Sequence, residues 1–273
     1  MEGRWGRPPG GTDAPLTPGM LMNQLRLLDE VSQAAWIAPR LSGAFGAVTR
    51  AVPGGYPAYV RVCHPIEGVD GGWISWTQVA QTTGRQPHPL MQWHALVGSS
   101  DLYDAAASSP IWPGQDNPDV GNLPPAALAA LCEVLAEHTT SPEQCFFGVW
   151  EGYGWLDGAV SREEFRSPRI QLPGRNYLPL AGPLQAAQQI GDRSGDEDGF
   201  DFDPHSPNLW WPADRAWCVA TEIDFDSTLV AGSTELVDAI LQSPTLEAWP
   251  VGPNDSLAFD ADLINPVPPA PTR

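Results

Sequence analysis

Hydrophobic and polar positions along the chain repeat with two different periods. Leu128, Leu131, Cys132 and Leu135 recur at i, i+3, i+4 and i+7, which predicts an amphipathic helix with Pro124 and Pro125 at its first turn and His138 near its C-terminus. The same spacing of Leu21, Leu25, Leu28, Val31 and Ala35 predicts a helix over 20–35, ended by Trp36 and Pro39. Shorter helices are predicted at 77–83, stopped by Gly84, at 184–190, and after Gly232 and Ser233, where Leu236, Val237, Ile240 and Leu241 share a face. The period of two marks strands. Residues 58–64 alternate Val60 and Val62 with Tyr59, Arg61 and Cys63, and the apolar run 145–151 reads as a short buried strand leading into the turn Gly152-Tyr153-Gly154-Trp155. Residues 170–180 read as one or two strands interrupted by Pro173 and Gly174, and 246–251 as an edge strand.

The most legible stretch is 207–233. It reads as a tight turn holding Trp210 and Trp211, then a strand over 216–225, then a turn into the last helix. On that strand Trp217, Val219, Thr221, Ile223 and Phe225 would face inward, and Glu222 and Asp224 would end an acidic outer face, with Asp226 beyond them and Asp214 upstream in phase. The expected fold is α+β: a single domain over 19–265, with a mostly antiparallel or mixed sheet flanked by helices. A disordered arm at 1–18, a mobile acidic loop at 191–207 and a Pro-rich tail at 266–273 complete the organisation, and the polar connection 99–123 is long enough to be functional or mobile.

Charge narrows the partners. The formal net charge is -19, and the acidity is concentrated: residues 1–100 hold seven Arg against six carboxylates, whereas the rest hold seven Arg against 27. Such a field repels phosphate backbones and anionic lipid, so neither nucleic acid nor membrane is an expected partner. All 14 basic residues are Arg, which excludes chemistry built on a lysine, such as Schiff bases and phosphate-loop lysines. The four cysteines, Cys63, Cys132, Cys145 and Cys218, sit singly in apolar runs and read as reduced core residues. With no signal peptide or spanning helix to be drawn, a cytoplasmic location is expected.

No complete catalytic motif is present. There is no G-x-S-x-G elbow, no phosphate loop and no H-E-x-x-H, and Gly152-x-Gly154 lacks the third glycine of a dinucleotide turn. The segment Ser194, Asp196, Asp198, Gly199 has half of a calcium-loop spacing, but Ser194 and His205 stand where Asp and Glu are needed. Cys63 and His64 are neighbours on a strand and so point to opposite faces. No cofactor or metal is expected on these grounds. The row Glu222, Asp224 and Asp226 has the chemistry to divide acid and base roles, and the wet face of a half-buried strand would carry the same row. Twelve Trp, several beside turns, suit core packing, protein interfaces and sugar platforms alike.

The stretches WWPADRAWCVATEIDFDSTLVAGS, CFFGVWEGYGW and GRQPHPLMQWHALVG resemble a family of uncharacterised proteins from high-GC Gram-positive bacteria. More distantly, the order of helix, strand with a W-E-G-Y-G turn, and late strand before a final helix is similar to the SUKH superfamily. That resemblance implies an α+β binding module, many relatives being immunity proteins that neutralise toxins. The leading expectation is a non-enzymatic module that captures a basic protein partner through Trp150, Glu151, Tyr153, Trp155, Trp210, Trp211 and Asp214. The alternative is a glycan hydrolase pairing Glu151 with Glu222 or Asp224 in a Trp-lined cleft. The oligomeric state is left open.

Overall fold

The computed structural model describes residues 24–68, 71–102, 104–112, 116–156, 166–192, 195–196, 199–200, 202–265 and 267. Its framework is a nine-stranded antiparallel sheet built from β1 (Arg26–Leu27), β2 (Ala58–Cys63), β3 (Cys145–Trp150), β4 (Ile170–Leu172), β5 (Arg175–Gly182), β6 (Leu209–Pro212), β7 (Cys218–Ala220), β8 (Ser227–Gly232) and β9 (Ala248–Val251). The strand order is β1-β5-β3-β6-β7-β8-β2-β9, with β4 pairing β5 as a hairpin. The class is therefore α+β, as the alternation of periods predicts.

Both faces of the sheet are covered. On one, α2 (Pro125–Glu137), α3 (Thr234–Leu241) and the 3-10 turn Leu184–Gln189 pack on Val60, Val62, Phe147, Leu178, Val219 and Val230. On the other, Trp36, Ile37, Val48, Val52, Phe225 and Leu257 cover Tyr59, Leu209, Cys218 and Leu229. A third cluster, built by α1 (Trp76–Thr83), the short helix Trp93–Leu96 and Trp112, encloses the end of β2 at Cys63. Ser233 accepts from the Leu236 N–H at the start of α3, and Ser75 with Gln78 forms a capping box on α1, so both helix starts are fixed locally. The four cysteines are free and buried.

Double coverage explains where the sequence pattern misleads. Trp210 and Trp211 do not lie on a turn; they occupy β6 at the centre of the sheet and are 0% and 1% exposed. Consecutive strand residues point to opposite faces, so Trp210 packs with Phe147 and Trp217 while Trp211 packs with Phe146 and Trp36. The strand expected over 216–225 stops at Ala220. A turn closed by the Phe225 N–H on the Glu222 carbonyl follows, and the segment expected as the turn is the fully buried strand β8. Nor do residues 24–35 form a helix: Arg26 and Leu27 pair with Ala181 and Leu180 along the open edge of β5, and a 3-10 turn at Ser32–Ala34 follows. An unpaired sheet edge offers the backbone hydrogen bonds that a lone helix would have to nucleate by itself.

The segment expected as a mobile acidic loop contains paired backbone, Gly191–Asp192 with Asp203–Pro204 and Gly195–Asp196 with Gly199–Phe200. The arm at 1–18 lies outside the described residues, as do most of the tail and the residues 194 and 198 of the calcium-like spacing.

Candidate functional site

Strand register decides which residues can meet. Asn208 N–H donates to the Gly148 carbonyl, the Trp150 N–H donates to Asn208 Oδ1 (2.8 Å), and the Thr221 N–H donates to the Asn208 carbonyl. One asparagine thus ties the end of β3, the start of β6 and the turn after β7 to one end of the sheet. Everything that follows these strand ends gathers there.

The turn after β3 carries a continuous row of rings. Trp150 meets Tyr153 edge-on at 5.3 Å between centroids, Tyr153 stacks on Trp155 at 5.8 Å, and His205 stacks on Trp155 at 5.4 Å while lying 5.3 Å from Tyr153. All four rings are half-buried, and Gly152 and Gly154 between them are exposed. Gly152 is required by close approach, because a Cβ there would lie 2.3 Å from the Trp150 ring. Tyr153 is anchored: its hydroxyl accepts from Asn208 Nδ2 (2.9 Å) and donates to the Gly121 carbonyl (3.2 Å). Burial raises the Tyr153 pKa against the lowering effect of the Asn208 bond, so the phenol stays protonated and able to donate. Beside the rings, the exposed Asp203 carboxylate stands 3.7 Å from His205 Nε2.

Four carboxylates near this end, Glu151, Glu222, Asp224 and Asp226, are held by arginine. Glu151 accepts from Arg169 Nε (3.1 Å) and Asn176 Nδ2 (2.7 Å). Arg175 bridges Glu222 (Nε to Oε1, 3.0 Å) and Asp224 (2.5 Å). Burial holds the Glu222 pKa above the usual range despite the arginine. Asp226 pairs with Arg61 at 3.3 Å, and its pKa too is raised by burial and pulled back by that guanidinium. The buried Arg61 also donates to Ser227 Oγ (2.9 Å) and to the Pro89 and Met91 carbonyls, and its guanidinium lies 5.0 Å from the Trp76 ring centre, which makes it a strut between β2 and the segment before Trp93.

This geometry sorts the residues singled out from sequence. Trp150, Glu151, Tyr153 and Trp155 come together at the surface, and Trp210 and Trp211 are core. Asp214 is exposed but at the opposite end: it follows Pro212, which pairs with Cys145, the far end of β3, about 17 Å from Trp150 at the rise of an extended strand. There its carboxylate accepts from the Thr139 and Thr140 hydroxyls and from the Thr140 and Ala216 N–H groups. Glu222 and Asp224 do lie at the aromatic end, on a turn and bridged by Arg175. The cavity beside Glu222 holds about 90 Å³ and has no Trp in its wall, well below the roughly 300 Å³ at which ligand pockets begin. Sequence reasoning missed His205, Arg169, Arg175 and Asn208, because only the tertiary pairing of distant strands brings them in.

Among the described residues, no group of three or more His, Cys, Asp or Glu side chains is placed to hold a metal ion, and no helix is long and apolar enough to cross a membrane. Compared with known proteins, the chain matches no family model, and no curated protein or solved structure is significantly similar to it.

Proposed function

We propose that the chain is a non-enzymatic binding module that captures a basic protein partner on the patch formed by Trp150, Glu151, Tyr153, Trp155 and His205. The observation that carries the reading is the unbroken row of four half-exposed rings beside Glu151 and Asp203. Aromatic faces flanked by carboxylates suit Lys or Arg side chains, which gain cation–π and charge contacts there. The net charge of -19 accelerates encounter with such a partner over long range. The SUKH resemblance supplies the partner class: a toxin domain neutralised in the cytoplasm.

The test uses a 15-residue Lys-rich peptide and its Glu-for-Lys counterpart, titrated calorimetrically. The Lys-rich peptide should bind, and its affinity should fall as salt rises. Trp155→Ala should weaken binding by about 10-fold or more, the loss of one aromatic anchor. Equal affinity in Trp155→Ala, or equal binding of the acidic peptide, overturns the reading.

A further inference from the structure

We propose that the cavity between the first turns of α1 and α2 and the segment 244–247 is a binding site for an uncharged, mainly apolar small molecule carrying one hydrogen-bond acceptor. The cavity holds about 550 Å³, within the range that receives small ligands. Buried Cys63 and Leu246 lie at its base, Ile74 and Pro65 line a wall, and Trp73, 48% exposed, stands at its mouth as a flat apolar surface open to solvent.

The polar groups in the wall determine the class of ligand. Among the described residues, Glu247 is the single charged one lining the cavity, and the protein already uses it: its carboxylate accepts from the Trp76 and Thr77 N–H groups and the Thr77 hydroxyl, holding the start of α1. Ser75 and the Gln78 side-chain oxygen are committed to each other in the capping box, which leaves the Gln78 Nε2 amide in the wall as a donor. Among the described residues no cationic side chain lines the cavity to receive an anion, and Glu247 opposes one. The backbone adds further donors. α2 begins after Pro124 with no side-chain cap, so the N–H groups of Ala126 and Ala127, both in the cavity wall, lack the intrahelical partners that later residues have. They suit a ketone, amide or hydroxyl oxygen at one end of an aromatic or alicyclic body that lies against Ile74, Leu246 and Trp73. The cavity shares no residue with the ring row at Trp150–Trp155, so the two assignments stand or fall separately.

The probe is prodan, a neutral naphthalene ketone whose emission shifts to the blue in apolar surroundings, with anilinonaphthalene sulfonate as an anionic counterpart. The expected result is saturable, one-to-one prodan binding that Ala126→Trp, filling the cavity from an exposed helix position, weakens at least 10-fold, and a smaller loss in Trp73→Ala. Thr245→Trp closes the cavity from the other wall and replaces Ala126→Trp if that variant unfolds, as judged by its thermal midpoint. Absence of saturable prodan binding, or binding that both filling variants leave unchanged, overturns the site. Tighter binding of the sulfonate than of prodan, blocked by the same variants, overturns the uncharged class of ligand.

Discussion

Acid should destabilise this fold through one buried imidazole, His64, and the size of the effect follows from its surroundings. His64 closes β2 and is fully buried. Its Nδ1 lies 2.6 Å from the Asp119 carbonyl, which only accepts, so Nδ1 carries the proton and donates. Nε2 must then accept, and it does so from the Thr228 hydroxyl at 2.9 Å; Thr228 in turn accepts from Thr221 at 2.8 Å. A second proton on the ring would force the Thr228 hydroxyl to turn from donor to acceptor and would place a charge in the core. Burial accordingly lowers the His64 pKa from the usual 6.5 to about 4, with nearby Arg61 acting in the same direction and the Asp119 bond opposing it.

A histidine whose folded pKa lies below its unfolded value binds its proton more readily when unfolded. Its contribution is therefore intact above pH 6.5 and is lost as pH falls toward 4, by about 3 kcal/mol, at 1.36 kcal/mol for each decade separating the two values. Glu222 and Asp226, whose pKa values burial raises, work in the opposite sense. The comparison that isolates His64 is with His64→Gln, whose amide can donate to Asp119 and accept from Thr228 without titrating. In urea unfolding at pH 7 the wild type should be the more stable by about 1 to 2 kcal/mol, since the glutamine fills the site less well. By pH 4 the order should reverse. A difference between the two proteins that stays constant from pH 7 to pH 4 would refute the reasoning.

Three further outcomes follow from the packing. Trp211→Ala should cost about 3 to 5 kcal/mol in chemical unfolding, because it empties a site at the centre of the sheet, whereas Trp155→Ala should cost far less; similar losses in both would contradict the assignment of one to the core and the other to the surface. Arg61→Met should cost about 3 to 5 kcal/mol by leaving Asp226 without its guanidinium, and Arg61→Met with Asp226→Asn should recover part of that loss, measured as a double-mutant cycle. Glu247→Ala removes the acceptor of two helix N–H groups and a hydroxyl, a loss of about 2 kcal/mol, which should lower the thermal midpoint by roughly 4 to 8 °C; no change would mean that water satisfies these donors equally well.

Elements with one wet face were legible in the sequence, and those with two dry faces were not. α2 and α3 present an apolar stripe to the sheet and α1 presents one to the cluster around Trp93, each with polar residues toward solvent, so their period is visible, and their starts carry Pro125, Ser233 and Ser75. β8, Ser227–Gly232, is buried at every position. A strand covered on both faces has no polar phase, so Ser-Thr-Leu-Val-Ala-Gly carries no alternation and reads as a turn. Trp210-Trp211 shows the same failure, since two adjacent large apolar residues are natural only where opposite faces are both dry.

The candidate site was half legible for a related reason. The run Trp150-Glu151-Gly152-Tyr153-Gly154-Trp155 is local, and its glycines and alternating rings mark an exposed aromatic turn without any knowledge of the fold. His205 and the arginines that hold the carboxylates come from segments joined only by strand register. The carboxylate row at 222–226 looked like free chemistry because its partners, Arg175 and Arg61, lie 47 and 165 residues away in the chain. With those partners in place, Glu222, Asp224 and Asp226 brace the turns and leave the rings, with Glu151 and Asp203 beside them, as the surface that makes new contacts. If bracing is their role, Arg175→Ala should loosen the turn at Glu222 and lower stability at moderate salt, with little effect on peptide capture at Trp155. A variant that keeps full stability while losing capture would instead place Arg175 in the binding surface.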